Sequence, residues 1–147
     1  MHHELHTEID IDASPEVVWQ VLTDLDHYPE WNPFITSSVG EPEVGNQLVN
    51  RMEPPGGKAI TFKPRVTLVE DGKSFEWLGK LGLSGVFDGR HRFDIEASPT
   101  GTRFVQRESL DGVLVRFLRK SLDTTTKSGF EAMNAALKAR AESVAAG

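Results

Sequence analysis

Residues 13 to 35 read "ASPEVVWQVLTDLDHYPEWNPFI", and this stretch decides which architecture the rest of the chain can join. Ser14 can accept hydrogen bonds from the free amides of a first helical turn, Pro15 fits the first helical position, and Glu16 suits the positive end of the helix dipole. A short helix starts there, with Val17, Val18, Val21 and Leu22 on its apolar side and Trp19 near its edge. It stops before "DLDHYPEWNP", because the residue ahead of each proline is pushed out of helical backbone. Asp24 and Asp26 flank Leu25 at that end and read as capping or solvated carboxylates rather than catalytic ones.

Upstream, "ELHTEIDI" at 4 to 11 alternates Leu5, Thr7, Ile9 and Ile11 with polar residues, the period of a strand with one buried face. Downstream, from 34 to 110, short alternating runs are punctuated by "EPEVGN", "EPPGGK", "EDGK", "SPTGT" and "DG". They predict about six further strands in an antiparallel meander with one apolar face. Ile60, Phe62, Val66 and Leu68 share one parity, as do Phe75 and Trp77, and then Phe87, Phe93 and Ile95. Pro64 interrupts the fourth strand and marks a bulge or an edge, while glycines 79, 82, 85 and 89 imply strong curvature.

Residues 113 to 145 lack proline and carry Leu114, Phe117, Leu118, Leu122, Thr125, Gly129, Ala132, Met133, Ala136 and Leu137 at helical spacing. Arg116, Lys120, Asp123, Lys127, Glu131, Asn134, Lys138 and Glu142 fall on the opposite side, which reads as a solvated face. Such a helix is about 45 Å long, enough to lie across a whole sheet. Small Thr125 and Gly129 on its inner side would leave room that larger side chains would fill.

The 147 residues suit one domain, expected to span 1–147 without linker or repeat. With 22 acidic against 16 basic side chains the net charge is −6, which disfavours nucleic acid and anionic membrane as partners. The chain contains no cysteine, which removes disulfides, thiolate zinc sites and a cysteine nucleophile and allows a reducing compartment. No apolar run is long enough to span a bilayer, and no export signal is read at the start, so a cytoplasmic protein is expected. His2, His3 and His6 read as frayed terminal residues, and no metal or cofactor site is expected.

Taken together, "ASPEVVWQVLTDLDHYPEWNPFI", "FDGRHRF" at 87 to 93, "GTRFVQRES" at 101 to 109 and "SGFEAMNAALKARAE" at 128 to 142 resemble the START-like (SRPBCC, Bet v 1-like) superfamily, in its polyketide cyclase/dehydratase-like branch. The first segment is fairly specific; the others are diffuse alone. The resemblance implies an α+β helix-grip fold: a curved antiparallel sheet of about seven strands around a long C-terminal helix, with two short helices between strands one and two. It also implies a cavity between sheet and helix for a lipid, polyketide or similar apolar molecule, in a monomer or homodimer. In that frame "HYPEWNPF", 27 to 34, forms the second helical turn and braces one cavity wall, with Trp31 either plain core or in contact with ligand.

His91 shares the parity of Phe87 and Phe93 and should face inward, while Arg90, Arg92 and Asp94 face out. Phe104, Gln106, Glu108 and Leu110 share a parity on the next strand, so pairing across "SPTGT" can bring Gln106 or Glu108 near His91. A buried carboxylate needs a partner: His91, Arg103 or Arg107 reaching round an edge, water, or ligand. The expected cavity lining is Trp31, Phe62, Trp77, Phe87, His91, Phe104, Gln106, Glu108, Thr125, Gly129 and Met133. His91 and Glu108 orient a ligand, form a structural hydrogen bond, or act as a general acid/base pair on an enolisable carbonyl. "PPGG" at 54 to 57 and "GLSG" at 82 to 85 lack the lysine and helix of a phosphate loop, and Ser84 lacks a nucleophile elbow. A module acting through protein contacts, the remaining alternative, would have a filled interior and an exposed apolar patch.

Overall fold

Residues 2–80 and 85–147 are described in the computed structural model. The chain opens with β1 (His2–Ile11), α1 (Pro15–Thr23), a 3₁₀ turn at Leu25–His27 and the single turn α2 (Tyr28–Trp31). It continues through β2 (Ile35–Val39), β3 (Val49–Met52), β4 (Ile60–Phe62), β5 (Arg65–Glu70), β6 (Ser74–Lys80), β7 (Asp88–Ser98) and β8 (Gly101–Asp111). It closes with α3 (Val115–Ser121), a π-helical turn at Leu122–Thr126 and α4 (Lys127–Ala146). Five strands pair in the order β1-β8-β7-β6-β5 and three in the order β2-β3-β4, every ladder antiparallel. This is the helix-grip arrangement, with α4 packed against β1 and α1.

The N-terminal segment is capped as expected, but Tyr28, directly ahead of Pro29, keeps helical backbone and opens α2. Ser14 Oγ accepts from the Val17 amide at 3.3 Å, and Pro15 opens α1. Tyr28 is wholly buried and its hydroxyl donates to the Leu22 carbonyl, tying α2 back onto α1. The Asn32 side chain then accepts from the amides of Phe34 and Ile35 at 3.0 and 2.9 Å, an Asx turn that starts β2. The histidines expected to fray are instead held in β1: His2 pairs with Asp111, and His3 meets Asp123 at 2.6 Å. A continuous β1–β8 ladder of roughly 30 Å overrides the usual looseness of a chain end.

Eight strands stand among the described residues because Pro64 does more than bulge one strand. Lacking an N–H, it ends β4, and β5 restarts in the other sheet. The Leu48 amide donates to the Pro64 carbonyl and the Val66 amide to the Asn46 carbonyl, so the corner between the sheets is pinned. Gly79 and Gly89 face each other across β6 and β7; Gly82 lies outside the described residues.

The C-terminal helix departs from a single 3.6-residue phase. The wider π turn at 122–126 rotates the faces of α4 relative to those of α3. Phe117, expected inside, is 79% exposed, and Val113, Leu114 and Leu118 are exposed beside it. Asn134, expected in solvent, is buried with Gly129, Phe130, Met133, Leu137 and Ala141. No helix among the described residues is long and apolar enough to cross a membrane.

Candidate functional site

The two-residue turn Pro99–Thr100 sets β7 and β8 in register so that Ser98 faces Gly101, Ile95 faces Phe104, Phe93 faces Gln106 and His91 faces Glu108. His91 is 1% exposed and Gln106 fully buried. The ring lies 4.6 Å from Phe93, 4.9 Å from Phe130 and 5.3 Å from Trp77, so three aromatic walls fix its plane.

Hydrogen-bond direction can be followed through this island. The Phe130 carbonyl can only accept, so the Gln106 atom 3.3 Å from it is the amide nitrogen, which also donates to Asn134 Oδ1 at 2.7 Å. Asn134 Nδ2 then donates to Thr7 Oγ1 at 2.9 Å, and the Thr7 hydroxyl donates to the Gln106 backbone carbonyl at 3.3 Å. Gln106 Oε1 therefore faces His91 Nε2 at 2.8 Å and accepts a hydrogen bond from its N–H. The other ring nitrogen, Nδ1, meets Glu108 Oε2 at 3.2 Å, so a hydrogen bond there needs one further proton on the pair. A proton placed between an imidazole and a carboxylate is the element general acid/base chemistry requires.

Neither arginine considered as a partner reaches Glu108. Arg103 pairs with Glu8 and Glu96, and Arg107 with Asp94, all on the outer face of the sheet. Arg90 and Arg92 lie there as well, paired with Glu76 and Asp94.

Asn50, Met52, Phe62, Trp77, Gly79, Gly89, His91 and Glu108 line a crevice of about 10 Å³. Four of the residues expected to line a cavity are thus brought together: Phe62, Trp77, His91 and Glu108. Gln106 stands directly behind them. Three others are elsewhere in the core: Phe104 stacks on Phe93 at 5.8 Å, and Phe87 and Met133 are buried. Trp31 packs edge-on to Tyr28 at 5.1 Å and borders a surface crevice with Gln20, His27 and Arg140.

The room expected beside small residues is taken up by named neighbours. A Cβ on Gly79 would meet Phe62 Cε1 at 2.5 Å, so that ring lies against the sheet. A Cβ on Gly129 would overlap the Phe34 ring, which also packs edge-on to Phe130 at 5.6 Å. Thr125 lies where a Cβ on Gly57 would approach its methyl group at 3.1 Å, so the β3–β4 loop rests on the π turn. The internal cavity expected between sheet and helix is therefore filled at Gly79, Gly129 and Thr125.

Asn50, Met52 and Asn134 are at the site without being among the residues expected there. The alternation Leu48, Asn50, Met52 carries the signal for the first two. Nothing in the spacing around Asn134 does, because the π turn shifts its phase.

The family model described as "Polyketide cyclase / dehydrase and lipid transport" matches residues 2–142. The chain belongs to that family. No curated protein matches the sequence of this polyketide cyclase / dehydrase and lipid transport family member. Among solved structures it is similar to the di-domain ARO/CYC StfQ from the steffimycin biosynthetic pathway, at 16% identity and a TM-score of 0.80 over 100% of this chain and 53% of that one. The di-domain ARO/CYC BexL from the BE-7585A pathway gives 17% identity and 0.78 over 96% and 50%. The chain thus spans about half the length of those two proteins. A norcoclaurine synthase point mutant from Thalictrum flavum, in complex with a transition state analogue, gives 17% identity and 0.75 over 98% and 96%. At these identities the likeness establishes the fold.

Proposed function

We propose that this family member binds a hydrophobic or amphipathic small molecule, a lipid, polyketide or similar compound, inside the helix-grip fold, entering at the crevice between its two sheets. The observation that carries the reading is the His91–Glu108 contact on a crevice walled also by Asn50, Met52, Phe62 and Trp77. A few polar groups in a recess with aromatic and apolar walls are the usual layout of a site that orients a ligand. At about 10 Å³ the recess holds about one water, so entry requires Phe62 to leave Gly79 and the Gly57 loop to lift from Thr125. Phe62 is placed to do so: it is half-buried and sits on a three-residue edge strand paired only to β3. In this reading residues 1–147 act as one cytoplasmic domain, monomer or homodimer.

Native mass spectrometry of freshly purified protein tests the reading, followed by displacement of a fluorescent fatty acid and of an aromatic polyketide-like dye. Wild type is expected to retain or take up such a compound, and Phe62→Ala to take it up faster. Protein that carries nothing and binds neither probe, with Phe62→Ala equally inert, would overturn it.

A second reading is favoured by the 3.2 Å approach of His91 Nδ1 to Glu108 Oε2. An imidazole and a carboxyl group in contact suit a cyclase or dehydratase acting on an enolisable carbonyl. Replacing His91 or Glu108 would then abolish turnover in folded protein while leaving binding. A third, a protein-interaction module, draws support from the closed interior and the exposed group Val113, Leu114, Phe117 and Leu118. It requires the probes above to fail.

A further inference from the structure

Asn50 is fully buried and lines the same crevice as His91 and Glu108, on the facing three-stranded sheet. Its Oδ1 is occupied: the Ser38 hydroxyl donates to it at 2.6 Å. Its Nδ2 has no hydrogen-bond partner among the described residues. A buried amide N–H without a partner is costly, and such an orphan in a site wall calls for an acceptor supplied from outside the chain. The free space beside it, about 10 Å³, is the size of one oxygen atom with its contacts.

We propose that Asn50 Nδ2 is the donor that holds a neutral carbonyl oxygen of the ligand. This rests on the binding reading above and narrows it to a ligand class. Oδ1 already accepts from Ser38 and Nδ2 is the atom left without a partner, so the unmet need of the side chain is for an acceptor rather than a donor. No lysine or arginine among the described residues lines this space, so a carboxylate headgroup would be desolvated there without a permanent cation. A ketone or ester oxygen carries the required lone pair without that cost. Its apolar body would take the place of the Phe62 ring against Trp77. The ligand class is therefore a neutral carbonyl compound with an aromatic or alicyclic body, in preference to a free fatty acid.

The test uses three probes of one skeleton, α-tetralone, tetralin and tetralin carboxylate, against the full chain, read by Trp fluorescence and by the amide ¹⁵N–¹H₂ resonance of Asn50. Wild type is expected to bind the ketone about five- to tenfold more tightly than tetralin, the worth of one net hydrogen bond, and the carboxylate most weakly. Asn50→Ala should bind ketone and hydrocarbon alike. Ser38→Ala removes the same internal hydrogen bond and leaves Nδ2 in place, so it should keep the ketone preference. Should Asn50→Ala not fold, the wild-type resonance decides: moved by ketone and not by tetralin supports the assignment, unmoved by both overturns it. Equal binding of ketone and tetralin by wild type overturns the role of Asn50 while leaving the binding site standing. No binding of any probe removes the site and this inference together.

Discussion

The Glu108 carboxylate lies over Gly89, where a Cβ would come within 2.6 Å of Oε1. Gly89 is thus the floor on which the carboxylate reaches His91, and Gly79 opposite is the floor for Phe62. The two glycines make a notch in an otherwise side-chain-covered sheet.

Gly89→Ala should push Glu108 away from His91 without unfolding the domain, because the obstructing atom is the end of a flexible side chain. Urea denaturation is expected to change by less than about 1 kcal/mol. The ¹⁵N signals of the His91 ring should move toward those of a Glu108→Gln variant, and His91 resonances unchanged from wild type would contradict the placement.

Gly129→Ala should behave differently. The Phe34 ring it would strike is stiff and held by Phe130, so overpacking of about 1–3 kcal/mol outweighs the gain in helix propensity of about 1 kcal/mol. Chemical denaturation of this variant is expected to show a net loss of up to about 2 kcal/mol. A stabilised variant would mean that the ring has room to retreat.

Tyr28 is the sole tyrosine of the chain, and burial pushes its phenol above the usual value of 10.0, with the Asp24 charge adding to the effect. Below about pH 10 the folded and unfolded states both hold the proton; above it the unfolded state releases it first. Stability should therefore fall as pH rises past about 10, by about 1.4 kcal/mol per unit. Phenolate absorbance should appear only together with loss of the far-ultraviolet circular dichroism of the fold, and a phenolate titrating in folded protein would refute the burial.

Asp94 marks the acid limb. Burial raises its carboxyl, but the Ser74 hydroxyl together with Arg107 and Arg92 outweighs that and holds it below the ordinary 3.8. A lowered carboxylate stabilises the fold above its unfolded value and loses that contribution as pH falls through the folded one. Asp94→Asn should be less stable than wild type at neutral pH, and the gap in urea midpoint should close as the pH falls below about 4. A gap that stays constant would show that the ion pairs contribute nothing.

How far the residues alone reach is shown by two contrasts. The inward set His91, Gln106 and Glu108 is readable because period-two alternation and a tight turn leave one register. The inward helical set fails at Phe117 and Asn134 because one π turn breaks the count, and no local composition announces it. Likewise Gly129 is legible as a small residue on an inner face and Gly79 as a point of curvature, but that each seats an aromatic ring depends on Phe34 and Phe62, which arrive from distant parts of the chain. Pro64 is legible as an interruption; that β4 and β5 join different sheets is decided by pairing, which a single sequence does not display.

The β1–β8 ladder has a bearing on how the molecule comes to exist. His2 pairs with Asp111 and Ile11 with Thr102, so the strand at one margin of the five-stranded sheet waits for about ninety to a hundred and ten residues of synthesis before its partner emerges. Contacts this distant along the chain slow folding. Until β8 is released from the ribosome, the apolar residues of β1 have no sheet to join, and they stay exposed in the nascent chain for that interval.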